Sequence, residues 1–291
     1  MYPRPIERFF APTTITEALR LLGEYRGNAK LIAGGQSLMP MLKLRLLETQ
    51  CLIDLNRVQE LAGIREDGDG LWLGPMVRHA DVAANPLIRA GYPILADAAR
   101  AIGDPQIRNR GTIGGSLVHA DPVADYPAAV LALDARLTLT KSSAESRTVR
   151  ASEFFVAPMI TDVREDELLT MIRLPKPAAH SAGAYAKHSL VAGDFAIISV
   201  AAQLALDNGG RCERARIVIG ATASGAAPAV RASELLAGKK LDDALCRKAG
   251  EVAAEEVEVS SDIRASAQYR RELVKSLVPT TIRRAQERAG G

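Results

Sequence analysis

In the stretch KLIAGGQSLMP, residues 30–40, an apolar run stops at two glycines and is followed at once by polar Gln36 and Ser37. The run is typical of a short strand. Because they lack Cβ atoms, Gly34 and Gly35 let another molecule approach the backbone closely and adopt a positive φ at little cost. Consecutive N–H groups in such a turn form a concave anion site, and Gln36 and Ser37 add side-chain donors. The stretch therefore predicts a strand that ends in a candidate phosphate-binding turn.

Helix and strand signals around this turn predict a small α/β unit. Residues 14–17 read TITE, a capping box that begins a helix, and apolar residues follow at helical spacing up to Leu22. This helix is expected to end near Gly27. AKLIA, from Ala29, and CLIDL, from Cys51, are typical of short strands. Strand and helix signals at this spacing favour parallel pairing of the strands.

A second glycine turn, GTIGGSL at residues 111–117, repeats the pattern of an apolar residue, two glycines and a hydroxyl. Two such turns suit a diphosphate better than one. The plain alternative is chance, since 23 glycines in 291 residues give about two adjacent pairs at this ordinary glycine content, and the chain has four. Neither turn fits the glycine fingerprint of a Rossmann site or the P-loop pattern. The residues by themselves leave a nucleotide diphosphate and two ordinary turns both open.

The rest of the chain separates into two parts at PKPAAHSAG, residues 175–183, where Pro, Ala, Ser and Gly cluster. The elements expected before this boundary are a hairpin that turns at residues 67–70, short helices near 79–84 and 93–102, a loop over IRNRGTIGGSLVHADPVADYP (107–127), a helix over AAVLALD, and strands over ARLTLTK and ELLTMIRLP. After the boundary, two strands joined by an NGG turn and three helical segments predict an α+β module.

Composition and cysteine spacing exclude several classes of function. Lys and Arg number 37 against 34 Asp and Glu, for a net charge of +3, and no basic run points to nucleic acid. No apolar run reaches the ~18 residues that span a bilayer, and MYPRPIERFF lacks a signal-peptide core, so we expect a cytoplasmic protein. Cys51, Cys212 and Cys246 lack cluster or zinc spacing, which predicts reduced thiols and no metal in this chain. His119 and Asp121 resemble a metal pair, but no third ligand lies nearby, and a loop histidine is the preferred interpretation.

Five motifs in order carry a family resemblance: LIAGGQSLMPMLKLRL, LIDLNRVQEL, IRNRGTIGGSLVHADPVADYP, ELLTMIRLP and GDFAIISVAAQL. Each motif is modest alone, whereas five in register are highly specific. Together they closely resemble the FAD-binding medium subunit of the molybdenum hydroxylases, the family that includes carbon monoxide dehydrogenase and xanthine dehydrogenase. The resemblance extends over essentially the whole chain.

The resemblance implies an α+β chain, with an FAD-binding domain of the vanillyl-alcohol-oxidase (PCMH) type in two α/β subdomains and a smaller C-terminal α+β domain. The expected boundaries are 1–177 for the FAD-binding domain, with subdomains of about 1–57 and 58–177, and 178–291 for the C-terminal domain. The two glycine turns would hold the FAD diphosphate. The cofactor-binding residues that the resemblance implies are Ala33, Gly34, Gly35, Gln36, Ser37, Thr112, Ile113, Gly114, Gly115, Ser116, Asp125, Leu169, Lys187, Asp194 and Phe195.

Three of these residues differ from those that relatives often carry: Gln36 stands in place of His, Ser116 in place of Asn or Asp, and Phe195 in place of Tyr. Gln and Ser still hydrogen-bond phosphate, whereas Phe195 lacks the hydroxyl. Lys187 beside the flavin ring would stabilise the anionic reduced flavin, and a solvated surface lysine is the alternative. Phe195 would shield one ring face by stacking, and a core aromatic is the alternative.

By the same resemblance, the chain is an electron-transfer flavoprotein subunit with no catalytic side chain of its own. A large subunit with a molybdenum-pterin centre would hydroxylate the substrate, and a small subunit with 2Fe–2S clusters would pass the electrons to FAD in this chain. FAD would then reduce an external acceptor such as a quinone, NAD or oxygen, within a dimer of heterotrimers. Two alternatives stay open: a stand-alone FAD-dependent oxidase or dehydrogenase, and a non-catalytic nucleotide-binding assembly module.

Overall fold

Three main sheets organise the chain in the computed structural model, which describes residues 5–142 and 145–290. They contain three, five and four strands, and a two-stranded ribbon accompanies them. The first two sheets come from the N-terminal part of the chain and the third from the C-terminal part. Helices and strands are mixed along the whole chain, which confirms the predicted α+β fold class.

The first sheet carries the first glycine turn. Its elements are β1 (Arg8–Phe10), α1 (Ile15–Glu24), β2 (Ala29–Ile32), α2 (Leu38–Lys43) and β3 (Cys51–Asp54). The strand order is β1-β3-β2 with parallel pairing, as predicted. The Glu17 N–H donates to Thr14 Oγ1 at 3.2 Å, as a capping box requires, although the Glu17 carboxylate accepts from the N–H of Thr13 and not of Thr14. Because parallel strands end at the same edge, the turn after β2 lies beside the end of β3.

The second sheet and the helices around it form the middle of the chain. These elements are β4 (Ile64–Asp67), β5 (Gly70–Leu73), α3 (His79–Ala84), α4 (Pro86–Gly91), α5 (Pro93–Ala101), α6 (Pro105–Arg110), α7 (Ile113–His119), α8 (Tyr126–Ala132), β6 (Arg136–Ser142), β7 (Glu145–Arg150), α9 (Ala151–Phe154), β8 (Phe155–Ala157), β9 (Ile160–Thr161) and β10 (Leu168–Pro175). The five-stranded sheet has the order β4-β5-β10-β6-β7 with antiparallel pairing. The predicted hairpin at residues 67–70 and the predicted helices α3 and α5 are confirmed.

The prediction of a loop over residues 107–127 is wrong for much of that segment, which contains most of α6 and all of α7. The Asp104 carboxylate accepts from the Ile107 N–H at 2.8 Å and begins α6. The Thr112 hydroxyl accepts from the Gly115 N–H at 3.1 Å and begins α7. Side-chain caps of this kind stabilise a helix terminus by about 1 kcal/mol, which offsets the low helix propensity of glycine.

The third sheet and three helices form the C-terminal part. Its elements are β11 (Ser181–His188), β12 (Ile198–Leu206), β13 (Cys212–Thr222), β14 (Gly225–Pro228), α10 (Val230–Leu236), α11 (Asp243–Glu256) and α12 (Ala267–Gly290). The order β11-β12-β13-β14 leaves β11 at one edge, and β12 and β13 are joined at the predicted NGG turn. Within the described residues, neither α12 nor any shorter helix combines the length and apolar character needed to cross a lipid bilayer.

The third sheet is apolar on both faces and so joins the two parts of the chain. Val218 on β13 is buried in the same apolar cluster as residues of α5 and α8, and Tyr185 on β11 belongs to that cluster too. Ile219, the next residue along β13, is buried in a second cluster with Val274 of α12. Successive residues of a strand point to opposite faces, so helices cover the sheet on both sides. The break between β10 and β11 therefore separates parts that share a core.

Candidate cofactor site

The two predicted glycine turns lie against each other in the folded chain. A Cβ built on Gly34 would lie 2.4 Å from the Arg110 carbonyl oxygen and 2.6 Å from the Gly111 Cα. A Cβ on Gly115 would lie 3.6 Å from the Cβ of Ala33. Any larger residue at position 34 would push the two backbones apart. The structure thus brings the turn after β2 and the turn before α7 into one site.

A side-chain bridge between Asn56 and Arg78 joins the same two turns. The Asn56 amide donates to the Ala33 carbonyl oxygen at 3.0 Å, and its own oxygen accepts from the Arg78 guanidinium at 2.5 Å. That guanidinium also donates to the Arg110 carbonyl oxygen. Partial burial lowers the pKa of Arg78, and the neighbouring Arg110 adds to the effect. An arginine stays charged in proteins nevertheless, so its charge-assisted hydrogen bonds hold the turns together.

The turn after β2 presents a row of backbone donors. Across residues 5–142 and 145–290, no protein atom accepts a hydrogen bond from the N–H groups of residues 34–37. Gly35 has a φ of +73°, a left-handed conformation in which successive N–H groups point to one side of the turn. Gln36 and Ser37 are exposed beside these groups. The arrangement fits a phosphate group, which free N–H dipoles hold without a lysine.

The second turn repeats the sequence pattern of the first but does not present a row of free N–H groups. The expectation that two similar turns bind a diphosphate in the same way is therefore wrong, and the second turn offers a hydroxyl group instead. Four consecutive N–H groups are already bound within the chain: Ile113 to Val77 O at 3.0 Å, Gly114 to Pro75 O at 2.8 Å, Gly115 to Thr112 Oγ1 at 3.1 Å, and Ser116 to Thr112 O at 3.1 Å. A Cβ on Gly114 would lie 2.3 Å from the Pro75 Cβ, so packing requires this glycine. The hydroxyl group of the half-buried Ser116 is the side-chain donor that this turn offers to a ligand, whereas Thr112 is buried and its hydroxyl oxygen caps α7.

Lys187 is buried, which excludes the alternative of a solvated surface lysine. Its side chain is 7% exposed, and its Nζ lies 3.1 Å from Asp125 Oδ1 and donates to the Ala101 carbonyl oxygen at 2.5 Å. The Tyr185 hydroxyl donates to the same carboxylate at 2.5 Å. Burial raises the pKa of Asp125, while Lys187 and Tyr185 act in the opposite direction. The result is a cluster of one cation, one carboxylate and one hydroxyl where β11 meets the C-terminal end of α5 and the loop after α7.

Phe195 is 53% exposed, which excludes the alternative of a core aromatic. The Arg264 guanidinium lies 5.6 Å from the centre of its ring and 3.4 Å from Asp194 Oδ1. A Cβ on Gly193 would lie 2.9 Å from the Gly103 carbonyl oxygen, so this segment packs on the loop after α5. The buried lysine donates to the carbonyl oxygen of Ala101, the last residue of α5. The segment that carries the exposed ring and the strand that carries the buried cation therefore both contact the C-terminal end of α5 and the residues just after it.

Leu169, in contrast, lies in the apolar core of the second sheet. It is 3% exposed and pairs with Leu139 of β6. The structure gives it no polar partner beyond the strand backbone, as expected for a leucine. Its contact with a cofactor stays a prediction from the family resemblance.

Three residues that build the site are missing from the predicted cofactor-binding residues: Asn56, Arg78 and His79. Asn56 lies within the motif LIDLNRVQEL, whereas Arg78 and His79 lie outside the five motifs. Asn56 follows β3 by two residues, and a polar residue after a parallel strand is a usable signal, because ligands bind at that edge of a sheet. His79 supports the second turn, since a Cβ on Gly111 would lie 2.5 Å from its Nε2. It is 5% exposed, and burial lowers its pKa from 6.5 to about 4. His79 is therefore neutral at pH 7, and nothing in the sequence indicated that.

Free backbone donors, a hydroxyl group on a facing turn, a buried cation and an exposed aromatic ring fit the diphosphate and planar ring of a flavin dinucleotide. This fold and this site define an FAD-binding flavoprotein. Residues 4–177 match the family model described as the FAD binding domain in molybdopterin dehydrogenase, and residues 183–285 match the CO dehydrogenase flavoprotein C-terminal domain. The chain belongs to the FAD-binding medium subunits of the molybdenum hydroxylase family, which confirms the resemblance seen in the motifs.

Similar proteins cover nearly the whole chain. The 6-hydroxypseudooxynicotine dehydrogenase complex subunit alpha of Paenarthrobacter nicotinovorans is 37% identical over 95% of this chain and 93% of its own length. The glyceraldehyde dehydrogenase medium chain of Sulfolobus acidocaldarius is 37% identical over 95% of this chain and 97% of its own. A solved structure of carbon monoxide dehydrogenase from Hydrogenophaga pseudoflava contains a chain with 38% identity and a TM-score of 0.93, at 99% coverage of both chains. The similar sequences and the similar solved structure thus indicate the same fold and the same class of protein for this chain.

Proposed function

We propose that residues 33–37 and 112–116 hold the diphosphate of FAD. The observation that carries this proposal is the row of free N–H groups in the first turn, packed against the second turn. A diphosphate removed from water needs compensating donors, and fixed N–H dipoles supply them. The half-buried Ser116 adds a hydroxyl donor from the facing side, and the buried Thr112 caps the helix that carries it.

The flavin end of the cofactor would be held by Asp125, Lys187, Asp194 and Phe195, and the contact of the core residue Leu169 is proposed from the family resemblance alone. Bound FAD supplies hydride and single-electron transfer at its ring. Lys187 keeps a positive charge beside that ring, held in place by Asp125. The exposed face of Phe195 is free to stack on a planar group. No side chain of this chain is required to move a proton in the reaction.

We further propose that the chain works between two partners. A small subunit with 2Fe–2S clusters delivers electrons, a large subunit with a molybdenum-pterin centre oxidises the substrate, and the complex is a dimer of such heterotrimers in the cytoplasm. The relatives' names support a division among subunits, since they describe a medium chain and one subunit of a dehydrogenase complex. Those names also give chemically different substrates at the same 37% identity, so this chain does not choose the substrate.

Expression of the chain alone tests the proposal. The purified protein is expected to be yellow, to release about one FAD per chain on acid treatment, and to hydroxylate no aldehyde or N-heterocycle. A colourless protein that takes up no added FAD would support the nucleotide-binding assembly module. Turnover by the lone chain would support the stand-alone oxidase or dehydrogenase. Co-expression with the neighbouring genes is expected to recover a complex that contains molybdenum, iron and FAD.

A further inference from the structure

Asp97, on α5, is a buried carboxylate that ties α12 to the N-terminal part of the chain. Its side chain is 9% exposed. From α12, Arg288 Nη1 lies 2.7 Å and Arg284 Nη2 lies 3.1 Å from Asp97 Oδ2. Arg100 Nη1, on α5 itself, lies 3.8 Å from Asp97 Oδ1. One carboxylate therefore receives three guanidinium groups, two of which come from residues 187 and 191 positions further along the chain.

The same two arginines of α12 also bind the backbone of β11. Arg288 Nη1 donates to the Gly183 carbonyl oxygen at 2.8 Å, and Arg284 Nη1 donates to the Tyr185 carbonyl oxygen at 3.3 Å. The Tyr185 N–H in turn donates to Asp97 Oδ2 at 3.4 Å. Because β11 is an edge strand, its open side has no neighbouring strand to satisfy these groups. Side chains of α5 and α12 take the place of that strand.

The part of β11 that these side chains bind lies next to Lys187. Tyr185 and Lys187 are two residues apart on one strand, so their side chains leave the same face. Both reach Asp125, through the Tyr185 hydroxyl at 2.5 Å and the Lys187 Nζ at 3.1 Å. A shift of β11 relative to α5 would move both side chains away from that carboxylate together.

We propose that Asp97, Arg284 and Arg288 form a positioning cluster for the flavin-side cation, Lys187, and so set the reduction potential of the bound flavin without touching it. The inference rests on the proposed function, because it takes Lys187 to lie at the flavin. A cation beside the ring stabilises the reduced, anionic form and raises the potential. The cluster keeps that cation at a fixed place by fixing the backbone of the strand that carries it.

The geometry also predicts which substitutions in the cluster disturb the position of β11. The Arg284 and Arg288 side chains are 42% and 31% exposed, so water weakens their charge attraction and their directed hydrogen bonds to β11 carry the effect. Replacing Asp97 by Asn keeps the shape but removes the charge that draws the two arginines together. Replacing Arg288 by Lys keeps the charge but loses the planar fork, in which Nη1 donates to Asp97 Oδ2 and the Gly183 carbonyl oxygen while Nη2 donates to Asp97 Oδ1.

The test compares FAD-loaded wild-type protein with the variants Asp97→Asn, Arg288→Ala and Arg288→Lys. Arg283→Ala is the matched control, since Arg283 lies on the same helix and pairs with Asp243 inside the C-terminal part. Spectroelectrochemical titration gives the flavin potential, acid release gives the FAD content, and hydrogen exchange on FAD-free protein follows the amides of residues 181–188. Lys187→Met shows how far the flavin potential shifts when the cation itself is removed.

We expect Asp97→Asn and Arg288→Ala to shift the potential to more negative values, in the direction of Lys187→Met, with faster exchange in β11 and wild-type FAD content. Arg288→Lys is expected to recover part of the shift and Arg283→Ala to cause none. Faster exchange with an unmoved potential would reduce the cluster to a structural role and overturn the inference. If Asp97→Asn fails to fold, the flavin potentials of Arg288→Ala and Arg288→Lys test the inference. If the wild-type protein binds no FAD, both the proposed function and this inference are wrong. If the variants retain FAD and their flavin potentials equal that of the wild type, only this inference is wrong.

Discussion

The Lys187 ammonium group lies 3.1 Å from the Asp125 carboxylate, and both side chains are more than nine-tenths buried. The two residues are 62 positions apart, on β11 and at the start of α8. A buried ion pair is a weak source of stability by itself, because both charges lose their hydration. Its value here is positional: a single positive charge is held where β11 crosses the FAD-binding part of the chain.

Removal of the cation is expected to destabilise the fold. Lys187→Met leaves Asp125 buried without its cation, and the expected loss is about 3 kcal/mol of unfolding free energy in urea. The double variant Lys187→Met/Asp125→Asn is expected to recover most of this loss, since neither charge is then buried. If the losses of unfolding free energy in Lys187→Met and Asp125→Asn simply add up in the double variant, the two residues do not act as a pair.

The same substitution is expected to change the flavin more than its binding. FAD-loaded Lys187→Met retains wild-type FAD content but has a more negative reduction potential, because a nearby cation favours the reduced form. Spectroelectrochemistry on the purified protein measures both. An unmoved potential would place Lys187 away from the flavin and leave it a structural residue.

Glycine at position 34 is expected to be required by the facing turn. The Cβ of Gly34→Ala would meet Arg110 O at 2.4 Å, so the substitution is expected to cost roughly 1–3 kcal/mol and to abolish FAD retention. Gly23→Ala is the control: Gly23 lies in α1 with no atom within 4 Å of a built Cβ, and alanine there is expected to stabilise the helix by about 0.5–1 kcal/mol. Full flavin content in Gly34→Ala would contradict the close contact of the two turns.

The bridge between the turns is expected to support FAD affinity. Arg78→Lys retains the charge but cannot reach Asn56 and the Arg110 carbonyl together, and FAD affinity is expected to fall about tenfold, or ~1.4 kcal/mol. Arg65→Lys serves as control, because Arg65 stacks 4.2 Å from the Trp72 ring centre on the second sheet. Equilibrium titration of the FAD-free protein with FAD measures the difference, and equal affinities would remove the bridge from the site.

Stability is expected to fall on acidification because His79 resists protonation. Its pKa is about 4 in the folded chain against 6.5 for an exposed histidine, so the unfolded chain binds the proton first as pH falls. The stability that His79 contributes is therefore present above pH 6.5 and is lost progressively down to pH 4, by about 3 kcal/mol. Urea unfolding at pH 7, 5.5 and 4 is expected to show this slope in the wild type and a shallower one in His79→Leu. Parallel slopes in the two proteins would assign the acid sensitivity to other groups.

Local patterns in the sequence predicted much of the fold. The N-cap at Thr14, the parallel strands at Ala29 and Cys51, and the NGG hairpin are confirmed, because each has a strong local signal, although the carboxylate half of the predicted capping box binds Thr13 in place of Thr14. The loop assigned to residues 107–127 is wrong, because its caps and its contact with Pro75 outweigh the low helix propensity of its glycines.

The two glycine turns of the candidate site were visible in the sequence, but their interactions were not. The N–H groups of one turn are free, whereas those of the other are bound to Pro75, Val77 and Thr112. The bridge formed by Asn56 and Arg78 was not predicted, since a bridge between carbonyl groups needs only two ordinary polar side chains at the right distance.

The family, the helices and strands with strong local signals, and the residues available for a diphosphate could be predicted from residue type and spacing. The burial of Lys187 and the exposure of Phe195 could not be predicted in this way. Nor could the free amides of one glycine turn, the hydroxyl group of the other, or the contacts of Asp97 with α12 and β11. Burial and hydrogen-bond partners depend on which distant segments meet, and that is a property of the packed chain and not of any window of residues.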